Sequence, residues 1–502
     1  METIQHLFYG LAVVFQPVHL LMCFIGVLLG TFVGVLPGVG AACTMALLLP
    51  VTYKVNPVSA TIMLCGLYYG AMYGGSTTSI LLNIPGEVAS VVTCLDGYQM
   101  ARKGRAGPAL GISAFGSFIG GTISVIGLML AAPPLSEFAL KFGPTEYFSL
   151  MFMGIVMLTF LAGDSVPKAL CMASLGIFVG TVGTDAISGM ERFTLNIPIL
   201  VDGIGLLPVA MGLFGIGEVL VNVELTLKAD VFETSLKRLL PNLDDWKRSI
   251  MPILRGSVIG FFLGILPGGG GLISSFASYT TEVKLSKHPE EFGKGAIEGV
   301  AGPETANNAG AGGSFIPLFT LGLPTNVIMA LLLGAMMLYG LQPGPQMIIK
   351  HPDLFWGVVA SMYIGNAMLL ILNLPLIGLW VQVLKIPYHL LFPIIIFFCL
   401  VGAYSINNNV DEITIMIIFG VLGYLFKKFS YPGAPFIMAM VLGPMMERAL
   451  RQSLIMSLGS GWIFITRPIS LITLLIAFSL LASTILPAIK KKRQVLAESS
   501  GD

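Results

Sequence analysis

The chain has 502 residues, of which 55% are hydrophobic and only 11% are charged, and its net charge is +1. Soluble domains carry about a quarter charged residues, so this composition predicts a polytopic protein embedded in a lipid bilayer. The chain also lacks a basic patch with interleaved aromatic residues, and nothing indicates a nucleic-acid partner.

The segments in chain order predict an all-α architecture with room for roughly a dozen spans of about 20 residues. Residues 1–17 lack the features of a signal peptide and are predicted to form an interfacial or membrane helix. Two apolar regions follow, at 18–222 and 253–450, and a polar stretch at 223–252 is predicted to be a cytoplasmic linker between them. Residues 451–489 are predicted to form a C-terminal transmembrane helix, and residues 490–502 a basic cytoplasmic tail.

Two interrupted apolar segments occur in both regions. The stretch Gly30–Gly40 returns as Gly260–Gly270 with the same Leu-Pro-Gly core, and a second pair follows at 74–86 and 312–325. Non-helical backbone survives at membrane depth only where it is buried in protein or lines a cavity. Paired broken segments in two halves are the sequence pointer to a transporter's binding site, so a secondary transporter is predicted. Kinked spanning helices with close glycine packing are the structural alternative.

The basic loops predict that the two halves are inserted in opposite orientations. The loop at 102–105 is basic, whereas its counterpart at 339–345 has no basic residue; the loop at 284–294 is basic, whereas its counterpart has only Lys54. By the positive-inside rule, this pattern predicts two inverted repeats with broken or re-entrant hairpins. The same counting puts the C-terminus in the cytoplasm, while Arg448 and Arg451 would lie outside and do not fit.

The broken segments concentrate hydroxyls, amides, freed carbonyls and helix N-termini, which can bind carboxylates or replace the water around Na⁺. The predicted substrate-binding residues are Gly38, Gly40, Thr44, Gly75, Ser76, Thr77, Thr78, Pro85, Gly86, Gly270, Gly313, Ser314, Pro324, Thr325 and Asn326. The predicted Na⁺ ligands are Gly38, Asn83, Gly268, Asn307 and Asn308. Hydrogen bonding between membrane helices is the alternative role for these side chains.

Two carboxylates, Glu87 and Glu304, adjoin the broken segments, and an intramembrane carboxylate is a functional candidate. The sequence favours caps or interfacial residues over proton carriers for both, and a cap or turn residue for Asp96. The six cysteines are scattered and are predicted to be reduced packing residues. The chain has no convergent catalytic set and no GxxxxGK[ST] motif, so neither an enzyme, nor ATP hydrolysis, nor a cofactor is predicted.

Three stretches, at Tyr69–Gly86, Pro303–Ala309 and Leu338–Pro345, resemble the large membrane subunit of the tripartite tricarboxylate transporters, and the resemblance covers about residues 18–450. It implies uptake of a citrate-like or related carboxylate, driven by a Na⁺ or H⁺ gradient across a bacterial inner membrane. It also implies two partners, a periplasmic solute-binding protein and a small transmembrane subunit.

Two departures from the family pattern leave the carboxylate open: Pro324-Thr325-Asn326 replaces Pro-Gly-Ser, and Tyr339 replaces a histidine. Analogy with other hairpin-bearing transporters implies a transport domain that slides against a scaffold as an elevator, with rocking as the other mechanism. A homodimer stays open. The alternative function is a passive anion channel, or another permease that works without a binding protein.

Overall fold

The computed structural model describes residues 2–36, 39–52, 55–161, 165–224, 239–384, 386 and 388–485. Helices account for about 80% of the chain, which confirms the all-α class. The described strands are a two-residue antiparallel pair, β1 (Gly183–Thr184) and β2 (Glu191–Arg192).

The first half, with its short 3₁₀ turns at Val88–Ser90 and Pro198–Leu200, contains ten helices in its described part. They are α1 Glu2–Val14, α2 Pro17–Val35, α3 Ala41–Thr52, α4 Pro57–Leu82, α5 Val91–Arg102, α6 Ala106–Ala139, α7 Pro144–Leu161, α8 Val166–Gly180, α9 Leu206–Ala210 and α10 Gly217–Glu224. A π-helical turn, Met211–Ile216, joins α9 to α10.

The second half has a 3₁₀ turn at Pro289–Glu291 and thirteen described helices. They are α11 Leu243–Ile265, α12 Gly270–Leu285, α13 Glu298–Gly313, α14 Phe315–Leu321, α15 Val327–Leu338, α16 Met347–Lys350, α17 Pro352–Asn373, α18 Ile377–Val383, α19 Tyr388–Asn407, α20 Val410–Lys428, α21 Gly433–Met456, α22 Ile463–Thr466 and α23 Pro468–Ile485.

Seven helical segments among the described residues are both long enough and apolar enough to cross a membrane. The longest is α6, with 34 residues, which at about 1.5 Å per residue exceeds the bilayer's hydrocarbon thickness. The apolar stretch 311–341 is divided into shorter helices, since it contains the end of α13, all of α14 and all of α15. A multi-pass membrane protein is the class that these apolar helices define.

Glycines bring α2 and α4 into direct backbone contact. A Cβ at Gly26, Gly30 or Gly34 would overlap the carbonyl oxygen of a residue in α4, and the contacted residue advances with the glycine from Met63 to Ala71. The two helices therefore run parallel. Small residues at i, i+4 and i+8 permit this approach, as in small-xxx-small pairs of membrane helices.

The same arrangement recurs between α11 and α13. A Cβ at Gly256, Gly260 or Gly264 would overlap a carbonyl oxygen in α13, and the contacted residue again advances, from Gly302 to Gly310. Each of these glycines lies 230 residues after its counterpart in α2. The repeated motif at 30–40 and 260–270 thus corresponds to a repeated helix packing.

Helix α12 returns alongside α11 as a hairpin. Arg255 in α11 forms a two-point ion pair with Glu282 in α12, at 2.9 and 2.5 Å. Arg248 near the start of α11 pairs with Glu291 and Glu298 beyond the end of α12, at 2.5 and 2.7 Å. The beginning of α11 and the end of α12 therefore lie together, and the break at 266–269 is the hairpin tip.

The structure corrects the expected break at Gly74 and Gly75. Helix α4 continues unbroken through both residues to Leu82, because these glycines pack against α2 and the turn at Val88–Ser90. Helix α11 begins at Leu243, within the predicted linker, because Asn242 and Asp245 cap each other's backbone N–H groups.

Other boundaries fall outside the described residues or shift. Residues 225–238 of the linker, Gly38 and the tail from 486 onward lie outside the described residues. The predicted boundary at 450 falls inside α21, so that the described part of the C-terminal segment contains the end of α21, α22 and α23.

Candidate functional site

The tip of the α11–α12 hairpin contacts the break between α14 and α15. Gly268 adopts a φ of 77°, which glycine reaches without strain, and its N–H donates to the carbonyl oxygen of Thr325 at 2.8 Å. Pro324 and Thr325 are buried in this break, whereas Asn326 caps α15 through Met329 N. Two of the predicted broken segments therefore meet.

Asn307, in the middle of α13, points at the first turn of α12. Its side chain is fully buried, and a Cβ at Gly271 would overlap its Oδ1 atom. Neither amide atom of Asn307 has a hydrogen-bond partner among the described residues, and the same holds for Thr325 Oγ1 and Asn308 Oδ1. A buried polar atom without a partner costs about 1–3 kcal/mol, so each of these residues is a candidate ligand residue.

A second polar group surrounds Glu304, one turn before Asn308 on α13. Ser76 in α4 and Thr93 in α5 donate hydroxyl hydrogen bonds to the two carboxylate oxygens of Glu304, and the Ser113 hydroxyl in α6 lies close to the same carboxylate. The Glu304 residue is 1% exposed. Three helices of the first half thus converge on one carboxylate of the second half.

The residues around the end of α4 are brought close to this group. Gly86 packs against Gly75 and the carbonyl oxygen of Gly34, where a Cβ would overlap both. Thr78 donates to Val35 O at 2.6 Å, and Glu87 caps the 3₁₀ turn through Ala89 N at 3.2 Å. The capping role predicted for Glu87 is confirmed, while Thr77 is buried within α4.

Several other predicted ligands have structural contacts. Asn83 ends α4 in a left-handed conformation, with φ of 58°; Asn308 donates to Ser117 Oγ at 2.7 Å; and Ser314 donates to Ala311 O at 2.6 Å, just after Gly313 ends α13. Pro85 is exposed, and Gly270 begins α12. Their roles as ligands stay predictions.

The first broken segment lies elsewhere in the packing. Gly40 has a φ of 69° and precedes α3, where Thr44 donates back to Gly40 O at 3.2 Å. Helix α3 packs on α4, α15 and α19 rather than returning along α2 as closely as α12 returns along α11. Gly38, predicted to bind both substrate and Na⁺, lies outside the described residues.

Asp96 has a different role from the predicted cap or turn in its own loop. It is fully buried and accepts from Gly295 N at 2.7 Å, Ala296 N at 2.9 Å and Tyr279 Oη at 2.9 Å. The carboxylate therefore joins α5 to α12 and to the chain just before α13. A contact across 200 residues cannot be read from local sequence.

Sequence reasoning missed the hydroxyls of Thr93 and Ser113 and a pair formed by Tyr73 and Asn366. Tyr73 Oη donates to Asn366 Oδ1, and Asn366 Nδ2 donates to Phe118 O at 2.8 Å. These side chains line a cavity of about 20 Å³ next to Asn308. In the sequence, the only sign of these contacts is that polar residues stand inside helices that are otherwise apolar.

A charged cluster lies apart from these groups, where α8 and β2 meet α21. Asp185 pairs with Arg192 at 2.6 Å and with Arg451 at 2.7 Å, and Arg192 also pairs with Glu447 at 2.9 Å. The Ser188 hydroxyl and Arg451 hold the pKa of Asp185 well below its usual range. These pairs explain Arg451, which did not fit the positive-inside rule. The cluster borders a cavity of about 430 Å³.

The comparisons with known proteins agree with this architecture. Residues 20–438 match the family described as "Tripartite tricarboxylate transporter TctA family". A protein of Agrobacterium vitis, described as "Uncharacterized 52.8 kDa protein in TAR-I ttuC' 3'region", is 50% identical over 493 residues, covering 98% of each chain. A second Agrobacterium vitis protein, "Uncharacterized protein in TAR-II ttuC' 3'region", is 52% identical over 240 residues, covering 48% of this chain and 99% of its own. No solved structure matches the chain.

The apolar helices define a multi-pass membrane protein, and the family match makes it a transport protein. The chain belongs to the tripartite tricarboxylate transporter TctA family, the membrane component of those transporters. The resemblance seen in the sequence is thereby confirmed. Because the family is one of transporters, the chain is not an enzyme.

Proposed function

We propose that this chain is the large permease subunit of a binding-protein-dependent secondary transporter that imports an organic carboxylate with Na⁺ or H⁺. The observation that carries the proposal is Asn307, a fully buried amide without a described partner, facing the first turn of α12 inside an apolar helix bundle. Burying an amide that makes no hydrogen bond costs free energy. A polar solute that crosses the bundle would supply the missing hydrogen-bond partner.

The chemistry of the tip suits a carboxylate. The first turn of α12 presents backbone N–H groups and the positive end of the helix dipole, and Asn307 Nδ2 and Thr325 Oγ1 add two neutral donors. The Asn307 Oδ1 atom could instead coordinate Na⁺, so Asn307 serves one ligand or the other.

The proposal includes two repeats of opposite orientation, and contacts along α6 support it. Near its beginning, Gly111 packs on Pro241, just before α11; near its end, Ser136 donates to Pro345 O at 2.6 Å, just before α16, which leads into α17. The start of α17 in turn packs on the start of α4, where Gly357 faces Val58. The α11–α12 hairpin and the α2–α3 segment therefore start from opposite ends of α6.

The remaining features of the proposal come from the family. They are an inner-membrane location with a cytoplasmic C-terminus, a periplasmic solute-binding protein and a small transmembrane subunit as partners. We further propose an elevator-like movement of the α11–α13 region, for which the separate packing of α7, α8, α21 and α23 as a second layer offers a scaffold.

Uptake into proteoliposomes tests the function. The chain is reconstituted with its small partner, the purified binding protein is supplied outside, and uptake of radiolabelled citrate, malate and succinate is measured under separately imposed Na⁺ and pH gradients. Gradient-dependent accumulation is expected, whereas gradient-independent equilibration of the solute would favour the passive channel.

Asn307→Ala tests the site within that assay. Losing a hydrogen bond to a charged group costs about 1.5–3 kcal/mol, so we expect the half-saturating solute concentration to rise at least about tenfold. Asn373→Ala is the matched control, because Asn373 is also a buried amide, at the end of α17; its uptake should stay within about twofold of the parent. Equal effects of both changes would remove Asn307 from the site.

A further inference from the structure

Glu304 differs from the other buried carboxylates in the kind of partner that it has. Asp96 accepts from two backbone N–H groups as well as from the Tyr279 hydroxyl, and Glu282 pairs with Arg255. Among the described residues, the hydrogen bonds to the Glu304 carboxylate come from the hydroxyls of Ser76 and Thr93, and the Ser113 hydroxyl lies close by. An N–H group or a guanidinium can only donate, so it favours the ionised carboxylate. A hydroxyl can donate to a carboxylate and can also accept from a carboxylic acid.

No cation neutralises Glu304 within the part of the chain that the structure describes. The arginine nearest in sequence on the packed helices, Arg255 of α11, is occupied by Glu282 of α12. An isolated ionised carboxylate in an apolar interior is so costly that it usually takes up a proton instead. Both ionisation states of Glu304 can therefore be hydrogen-bonded, but only the protonated one removes the charge.

The ionisable groups that face Glu304 come from two directions. Glu87, after α4, is a second carboxylate close enough to disfavour a further negative charge, and Cys94 lies on α5 beside Thr93. From α12, Glu282 approaches α13 at Gly302 and remains paired with Arg255. From α6 the facing group is Ser113, which does not titrate near neutral pH. The surroundings of Glu304 thus add negative rather than positive charge.

We propose that Glu304 is the group that binds and releases the coupling ion, and that this ion is a proton. The proposal rests on the transport function proposed above. The carboxylate takes a proton from water on one side of the membrane and forms an O–H bond. After the conformational change, that bond breaks and the proton passes to water on the other side, while Ser76 and Thr93 reorient their hydroxyls at each step.

Sodium is the less suitable ion at this position. The hydroxyls of Ser76 and Thr93 are in direct hydrogen-bond contact with the two carboxylate oxygens. A cation between them would have to separate these pairs and find further oxygen ligands. A proton is accommodated by turning a hydroxyl.

The test uses the reconstituted complex with citrate, malate and succinate in Na⁺-free medium at a clamped membrane potential. An inward proton gradient should drive uptake by the unmodified complex, with alkalinisation of the external medium. In Glu304→Gln, the proton-driven accumulation of solute should fall by at least about tenfold, while exchange of internal for external solute persists. Glu304→Asp should retain part of the accumulation. Glu290→Gln is the control, because that carboxylate is 67% exposed, and it should behave as the parent.

The outcomes separate this proposal from the proposed function. Uptake that needs Na⁺, with no external alkalinisation, would overturn the proton proposal and leave the carboxylate transporter standing. Unchanged proton-driven accumulation in Glu304→Gln would also overturn it. Absence of any gradient-dependent uptake by the unmodified complex would reject the proposed function itself. If Glu304→Gln does not fold, proton and solute fluxes of the unmodified complex in Na⁺-free medium still decide between the two ions.

Discussion

The α2–α4 region and the α11–α13 region share a helix packing but differ in how the middle helix is held. In both, three glycines four residues apart bring the outer helices together in parallel. In the second region, α12 packs on α11 and α13 and is fixed by the pair of Arg255 with Glu282. In the first, α3 packs outward on α15 and α19. The same glycine packing of the two outer helices therefore occurs with two different placements of the middle helix.

The ion pair in the second hairpin offers the sharpest way to test this difference. Arg255→Met leaves the 2% exposed side chain of Glu282 without its cation. Breaking a buried pair costs about 3–5 kcal/mol, and because Arg255 is 36% exposed, we expect about 3 kcal/mol. The measurement is the free energy of unfolding in detergent. The double change Arg255→Met with Glu282→Met should restore most of the loss; if it does not, the pair is not what fixes α12.

Substitutions in the two glycine rows test what the regions share. Gly34→Ala and Gly264→Ala each place a Cβ where it would overlap a backbone carbonyl oxygen of the facing helix. Overpacking of this kind costs about 1–3 kcal/mol, so both variants should lose about 2 kcal/mol of unfolding free energy. Gly378→Ala, where a Cβ would meet no atom within 4 Å, is the control. A loss in one row only would show that the two packings are not equivalent.

The link between α5, which follows the first region, and the second region can be weakened at Asp96. The Asp96 carboxylate accepts hydrogen bonds from the N–H groups of Gly295 and Ala296. Asp96→Asn removes the negative charge, and its amide can accept from these N–H groups with only one of its two terminal atoms. Since hydrogen bonds to a charged group contribute about 1.5–3 kcal/mol, we expect a loss near the lower end, about 1.5 kcal/mol. Hydrogen exchange should increase at 295–298 more than at Arg248, and uniform exchange would contradict a local role.

The smallest effect is expected in the charged cluster, which lies outside both regions. The pKa of Asp185 is lowered in the folded protein, first by the Ser188 hydroxyl and then by Arg451. A lowered pKa stabilises the fold above the carboxyl's ordinary pKa of about 4, and this contribution is lost as the pH falls below that value towards the lowered pKa of the folded state. Between about pH 5 and about pH 2, Tm should therefore fall more in the parent than in Asp185→Asn. Identical pH profiles would show that the cluster does not contribute.

Much of the site's composition could be predicted from sequence, but its contacts could not. Composition and the Gly/Pro breaks indicated which segments are helical and where α11 ends, and they selected Ser76, Asn307 and Thr325. The same reasoning placed breaks at Gly74 and Gly75, where α4 is continuous. A glycine that interrupts a helix and one that lets a neighbour approach are alike in sequence, since the difference lies in the facing helix.

The sequence by itself determined the class of protein, because a chain that is embedded in a lipid bilayer needs apolar segments and can break its helices only inside the protein. It also determined the repeated glycine rows, since a spacing of four residues is a property of one helix. Only the tertiary structure decided that Glu304 lies among Ser76, Thr93 and Ser113, and that Asp96 joins α5 to the start of α13. These contacts join residues about 200 positions apart, so they depend on how whole helices pack.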